Sequence, residues 1–323
     1  MKRWPSLAIG VRLSLLCALA WLPGLAWAHA AVRHEHGNPW LQFALDYWVG
    51  LPLLISLLAY LLGIQRMRQK RPQLSGNTRK RLQLFLAGWA SLVLALLTPV
   101  DSLGNEYFSM HMVQHELLMI VAAPLLVLAR PLAVWAWAMP GRRVTRLHKL
   151  TRYPLFARIW QGITHPFSAW AIHALVLWGW HVPTMFENAL HRSWLHDLQH
   201  LSFFFSALLF WWSLLRMNSQ RSPAILGLIS LFTTAVHTAL LGALLTFSSQ
   251  VWYHSYIITS GGLQAALQDQ QLGGLIMWIP GGLSYLIVTL LLCYKLLHKT
   301  QGHYAHADSI NSPSALLARK RLQ

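Results

Sequence analysis

The stretch 107-YFSMHMVQHELLMIVAAPLLVLA-129 decides the fold. A helix of that length, at about 1.5 Å per residue, reaches roughly 34 Å, enough to cross a hydrocarbon core of about 30 Å. From Leu117 onward the run is apolar, yet its first half carries His111 and His115. Spaced i, i+4, these two share one helix face. Ionisable groups inside a span are costly and usually functional. The same stretch therefore predicts a transmembrane helix and a reason to look for chemistry on it.

Outward from it, further apolar runs lie at about 42–64, 82–100, 166–185, 197–215, 223–247 and 271–296. The chain reads as an all-α polytopic membrane bundle with about seven spanning helices over residues 42–297. Composition agrees: 55% of the 323 residues are hydrophobic and 11% charged, where a soluble domain carries about 25% charged residues. The formal charge of +17 invites a nucleic-acid reading, which its distribution opposes. Apart from Lys2, Arg3, Arg12, Arg33 and Arg192, every Lys and Arg falls in the segments 65–81, 130–165 and 216–222 or in the C-terminal region from Lys295 onward. Those segments lie on one side of the bundle, and the positive-inside rule makes that side cytoplasmic, with the N-terminus outside and the C-terminus inside. The acids go the other way: of nine, only Asp308 falls on the inner side. An outer rim of carboxylate and imidazole attracts cations.

Residues 1–28 read as a cleavable secretory signal, with Lys2, Arg3 and Arg12 before an apolar stretch and Ala26-Trp27-Ala28 at its end. An uncleaved anchor helix is the alternative. Cleavage after Ala28 exposes His29 at the head of a His-containing periplasmic segment, 29–41, that includes His34 and His36. Residues 298–323 read as a flexible cytoplasmic tail, and the long segment 130–165, with Pro131 and Pro140-Gly141, as interfacial. The two cysteines are Cys17, in the expected signal, and Cys293, near the end of the last span. An intramolecular disulfide in the mature chain and an outer thiolate metal site are thereby excluded.

The remaining histidines cluster at one depth. His181 stands in Trp180-His181-Val182-Pro183, His196 and His200 repeat the i, i+4 spacing, and His173 and His237 are isolated in apolar runs. Met277 follows Asp269-Gln270 and Gly273-Gly274. Measured along ideal helices, His115 lies ~12 Å below the outer end of its span, His237 ~15 Å, Met277 ~9 Å, and His181 and His200 roughly 5 Å. Imidazole and thioether ligands without thiolate point to copper before zinc or iron–sulfur. His148, His165, His298, His303 and His306 fall on the opposite side. There is no nucleophile elbow and no His-Glu-x-x-His pattern, since Met119 stands where the second His would be; a non-enzymatic role is expected.

The segments His111-Met112-Val113-Gln114-His115, Trp180-His181-Val182-Pro183, His196-Asp197-Leu198-Gln199-His200, His237, Asp269-Gln270, Gly273-Gly274 and Met277-Trp278 resemble the multi-spanning CtaG family of cytochrome c oxidase assembly factors. The resemblance runs from about residue 40 to 297. It implies a bacterial inner-membrane protein that helps mature the haem–copper oxidase at its copper centre, with oxidase subunits, copper and lipid as partners. The family shares its name with an unrelated single-span copper donor, whose cysteine ligands are absent here. Motif positions carried over as metal-site residues are His111, His115, His181, His196, His200, His237, Asp269 and Met277. On this reading His29, His34 and His36, which lie outside the resemblance, collect copper, Met110, His111 and Met112 receive it, and His115 and His237 hold it. Two other readings stay open: a copper permease, and a membrane b-type cytochrome with bis-His haem.

Overall fold

The computed structural model describes residues 47–70, 75–141, 144–145, 151–215 and 224–294. The expected signal peptide, the His29–His36 segment and the tail lie outside the described residues. Among the latter there is no strand.

Helix α1 is Tyr47–Lys70 and α2 Ser75–Leu96. Much of the segment expected as the loop 65–81 is therefore helix. Arg66 lies within α1 and its guanidinium donates to the Ala138 carbonyl at 2.6 Å, a long side chain carrying its charge toward the interface. Thr98 caps α3, Pro99–Glu106, by accepting the Val100 N–H, with Pro99 at the first helical position. Then comes the opening stretch: α4, Phe108–Glu116, a π-helical turn Leu117–Ala122, and α5, Ala123–Ala129. The π turn has a local cause. Pro124 has no N–H to return to the carbonyl one turn back, and its ring crowds that carbonyl, so the helix widens before it. The same device recurs where α13, Leu263–Ile276, passes through a π turn, Met277–Gly281, that contains Pro280, and continues as α14, 282–294.

Between these lie α6, Pro131–Ala138; α7, Pro154–Ile163; α8, Pro166–His181; α9, Pro183–His191; α10, Ser193–Leu215; α11, Ala224–Thr246; and the short α12, Tyr256–Thr259. Among the described residues, six helices are long and apolar enough to cross a membrane: Trp48–Lys70, Asn77–Leu97, Phe108–Ala129, Ser193–Leu215, Ile225–Thr246 and Leu263–Tyr294. The run expected at 166–185 differs. Helix α8 has 16 residues, about 24 Å at 1.5 Å each, because Pro183 stops it and starts α9. The 130–165 segment is also more structured than expected. Its α6 lies back along α1, with the Trp135 indole donating to the Ser56 carbonyl at 2.9 Å. Its α7 buries no residue and exposes Leu155 and Ile159, as an interfacial helix would.

Charge separates the two ends of the bundle. Tyr60 donates to the carbonyls of Arg81 and Ala129, which places the basic end of α1, the start of α2 and the end of α5 together. At the other end Asp101 accepts from Gln114, Asp269 from Ser109, and Glu187 from Ser255. The interior divides into two apolar cores. One joins α1, α2, α5 and α6 around Tyr60, Phe85 and Val134. The other joins α4, α8, α10, α11 and α13 around Phe203, Phe210, Trp211 and Tyr285. In the second, α11 and α13 cross backbone to backbone at Gly242 and Gly274. A Cβ on Gly274 would lie 2.7 Å from the Gly242 carbonyl oxygen, the small-residue crossing that lets membrane helices approach closely.

Candidate metal centre

At the acidic end of the second core, three helices bring five histidines together. His111 and His115 project from one face of α4, with ring centroids 4.4 Å apart and the rings nearly perpendicular. His196 and His200 project from α10, 4.1 Å apart. The pairs interlock: His111 lies 5.4 Å from His196 and 5.5 Å from His200, and His115 lies 5.3 Å from His200. His181, the last residue of α8, approaches His115 at 6.3 Å. His111, His115, His181 and His200 are buried and His196 half-buried.

The hydrogen bonds show which nitrogens are free. His181 Nδ1 sits 2.7 Å from the Leu177 carbonyl oxygen. A carbonyl only accepts, so Nδ1 carries the proton and Nε2 is a bare lone pair. That Nε2 is buried without a partner. A backbone carbonyl fixing the tautomer of an imidazole in this way is the usual support for a metal-ligating histidine. Both nitrogens of His115 and Nε2 of His200 are likewise buried and unpaired. The backbone of Gly104 and the side chain of Gln199 approach the His111 ring, but no well-formed hydrogen bond closes on either nitrogen. Unpaired buried polar atoms are rare in folded proteins, and each asks for a cause.

His111, His115 and His200 can each offer a nitrogen within 4.8 Å of the other two. A trigonal site with metal–nitrogen bonds of about 2.0 Å holds its nitrogens about 3.5 Å apart, so small side-chain rotations suffice. The donor set is neutral imidazole, which suits copper and zinc.

Three residues expected in the site lie elsewhere. His237, on α11, faces α8, where its ring is 6.3 Å from that of Trp170. Asp269 accepts from the backbone N–H of Ser109 at 3.3 Å and from its hydroxyl, tying α13 to the start of α4. Met277 is buried in the apolar core, as is Met112. The Gln270 amide ties down the connection after α11 by accepting the Trp252 N–H at 2.7 Å and donating to the Gln250 carbonyl. Glu116, although next to His115, turns its carboxylate toward Gly281.

A roof of aromatic rings covers the cluster, and sequence reasoning did not find it. Phe186 of α9 lies 5.0 Å from His111 and 4.2 Å from Tyr253, and Phe108 lies 4.8 Å from Tyr253. Tyr253 donates to the His181 carbonyl and Tyr256 to the Gly104 carbonyl, both at 3.0 Å. Burial raises the pKa of both phenols, with Glu187 adding to the effect at Tyr253 and Asp269 at Tyr256; they stay neutral and keep donating. The roof is fastened where Glu187 of α9 accepts the Ser255 N–H at 3.1 Å and its hydroxyl, with His191 Nε2 3.3 Å from that hydroxyl. Only Phe108, one turn ahead of His111 on α4, had a signal in the sequence. From below, Phe203 packs 4.4 Å from His115.

The fold and site together define a polytopic α-helical membrane protein with a buried multi-histidine centre. Within that class, residues 58–299 match the model of the cytochrome c oxidase caa3 assembly factor family, Caa3_CtaG, and the chain belongs to that family. It is also similar to uncharacterised proteins of Mycobacterium bovis and Mycobacterium tuberculosis, each 27% identical over 247 residues, and to one of Mycobacterium leprae, 24% identical over 253. These alignments cover 72–75% of this chain but only 36–38% of the relatives, so the chain spans little more than a third of their length. No solved structure matches it.

Proposed function

We propose that this protein holds copper in the five-histidine centre and passes it to cytochrome c oxidase during assembly, at the outer face of a bacterial plasma membrane. Positive-inside topology puts the basic end in the cytoplasm and the histidines in the outer leaflet. His111, His115 and His200 are the primary ligands. His181 and His196 stand beside them as alternative donors through which the ion is handed on. Such a shared, neutral donor set suits cargo better than a permanent cofactor, since several near-equivalent imidazoles lower the barrier to exchange.

The observation that carries this reading is the convergence of imidazoles from α4, α8 and α10 with buried nitrogens left unpaired at His115, His181 and His200. The same rings favour it over bis-His haem. The rings of α4 and α10 pack against one another at 4.1–5.5 Å, too close for a macrocycle within any of these pairs.

The test pairs binding with function. Purified full-length protein is titrated with Cu(I) against a competing chelator, and the same variants are scored for oxidase activity in a deletion strain. Replacing His111 and His115 by Ala should remove the copper held at the five-histidine centre and oxidase activity together. Unchanged copper affinity, or full oxidase assembly in the deletion strain, overturns the proposal.

A further inference from the structure

Deeper in the bundle, α8 and α11 enclose a second group of unpaired polar atoms. His173 precedes His181 by eight residues on α8, which sets it about 12 Å further along the helix. It is buried, its ring stacks on Phe210 at 5.2 Å, and its Nδ1 lies 3.1 Å from the Ser206 hydroxyl of α10. That hydroxyl already donates its one proton to the Phe203 carbonyl at 3.1 Å. With that proton on the carbonyl, the hydroxyl accepts from His173 Nδ1, and Nε2 is then a lone pair. This Nε2 is buried without a partner, and so are both nitrogens of His237 and the indole N–H of Trp170. Trp170 and His173, three residues apart, share the face of α8 on which the Trp170 ring meets the His237 ring edge to face at 6.3 Å.

In a bilayer no water compensates such atoms, so leaving this many polar atoms unpaired in one place is costly. We infer that His173 and His237 form a second metal site, a two-imidazole site for a monovalent copper ion, separate from the five-histidine centre and deeper in the membrane. The inference rests on the copper reading of the outer centre. The ion's charge follows from the setting. Two neutral imidazoles supply no counter-charge, so a singly charged ion is far less penalised by the low dielectric than a doubly charged one. Imidazole is a competent copper ligand, and Cu(I) accepts two-coordination where Zn(II) prefers four ligands. Ser206 acts as the positioning group that holds the His173 tautomer. Trp170, a donor only, cannot ligate.

The test is Cu(I) titration of the purified full-length chain against a competing chelator, with X-ray absorption at the copper edge. His237→Phe and His173→Phe should each lose one equivalent of copper while keeping the outer equivalent, and that retained copper certifies the fold. The His111→Ala, His115→Ala double variant should keep one equivalent whose absorption spectrum reports two nitrogen ligands. Ser206→Ala should weaken the inner equivalent about tenfold and leave the outer one unchanged. If His237→Phe and His173→Phe both bind as much copper as the parent, the two histidines simply bond each other and the second site is wrong, while the outer centre stands. If the outer double variant binds none, the second site is again wrong. If it binds as much as the parent, the outer reading fails instead.

Discussion

The two apolar cores treat polar groups in opposite ways. In the core between α1, α2, α5 and α6, the polar side chains are paired: Tyr60 donates to two carbonyls, Trp89 to Leu53, Ser91 to Leu117 and Trp135 to Ser56. Among the described residues, none of the unpaired buried side-chain atoms belongs to that group. In the core between α4, α8, α10, α11 and α13, unpaired imidazole nitrogens accumulate at His111, His115, His173, His181, His200 and His237. Both cores meet the same lipid, so the solvent does not explain the difference. One half uses its polar groups to hold helices together, and the other leaves them unpaired, free for a ligand on the copper reading proposed above. Substitutions in the two halves should therefore separate stability from metal binding.

The largest separation is expected at His115. His115→Leu should lower copper affinity by on the order of 100-fold or more, beyond the 10–100-fold typical of groups that only support a ligand. Thermal stability should hold or rise, because an unpaired buried polar group is replaced by an apolar one. A variant that unfolds while its remaining copper binds normally would reverse the assignment of the two halves. Next comes Gly63, where a Cβ would collide with the Val134 carbonyl oxygen and α6 could no longer lie on α1. Gly63→Ala should cost about 1–3 kcal/mol, read as a lower unfolding temperature in detergent, with copper stoichiometry intact. Smaller still is Tyr60→Phe. A hydrogen bond between membrane helices averages about 0.6 kcal/mol, so losing the one phenol proton that Tyr60 shares between two carbonyls should cost about that much and again leave copper binding unmoved.

The sequence reveals the spans and the two i, i+4 histidine pairs, because apolar length and helical spacing are local properties. It does not reveal which helix faces meet. Depth along ideal helices puts His237 in one slab with His115, but depth fixes only one coordinate. The rotation of α11 turns His237 toward Trp170 of α8. Asp269 and Met277 sit on the expected helix and still miss the cluster, one drawn to Ser109 and the other into the apolar core. His173, isolated in an apolar run of the sequence, meets Ser206 of α10, a partner that its spacing does not specify. The aromatic roof was invisible for a different reason. Tyr253 and Tyr256 come from the connection after α11, and their partners at His181 and Gly104 are 72 and 152 residues away in the chain.

The finest test of the comparison concerns the roof, where a support for the fold stands directly over the five-histidine cluster. Glu187→Gln weakens the fastening to Ser255 without touching an imidazole. It should speed copper uptake and release a few-fold, change the equilibrium affinity little, and leave the unfolding free energy within about 1 kcal/mol of the parent; stopped-flow transfer of Cu(I) to a chelator measures the rates. The phenols supply a pH arm with a definite sign. The pKa values of Tyr253 and Tyr256 are raised on folding. Their contribution is therefore fully present below the ordinary tyrosine value near 10 and is lost as pH rises beyond it. Copper release should stay flat through neutral pH and accelerate only in strong alkali, and Tyr253→Phe should remove part of that acceleration. Acceleration beginning near neutrality, or release rates unchanged in Glu187→Gln, would show that the ion reaches the histidines by a path that does not pass the roof.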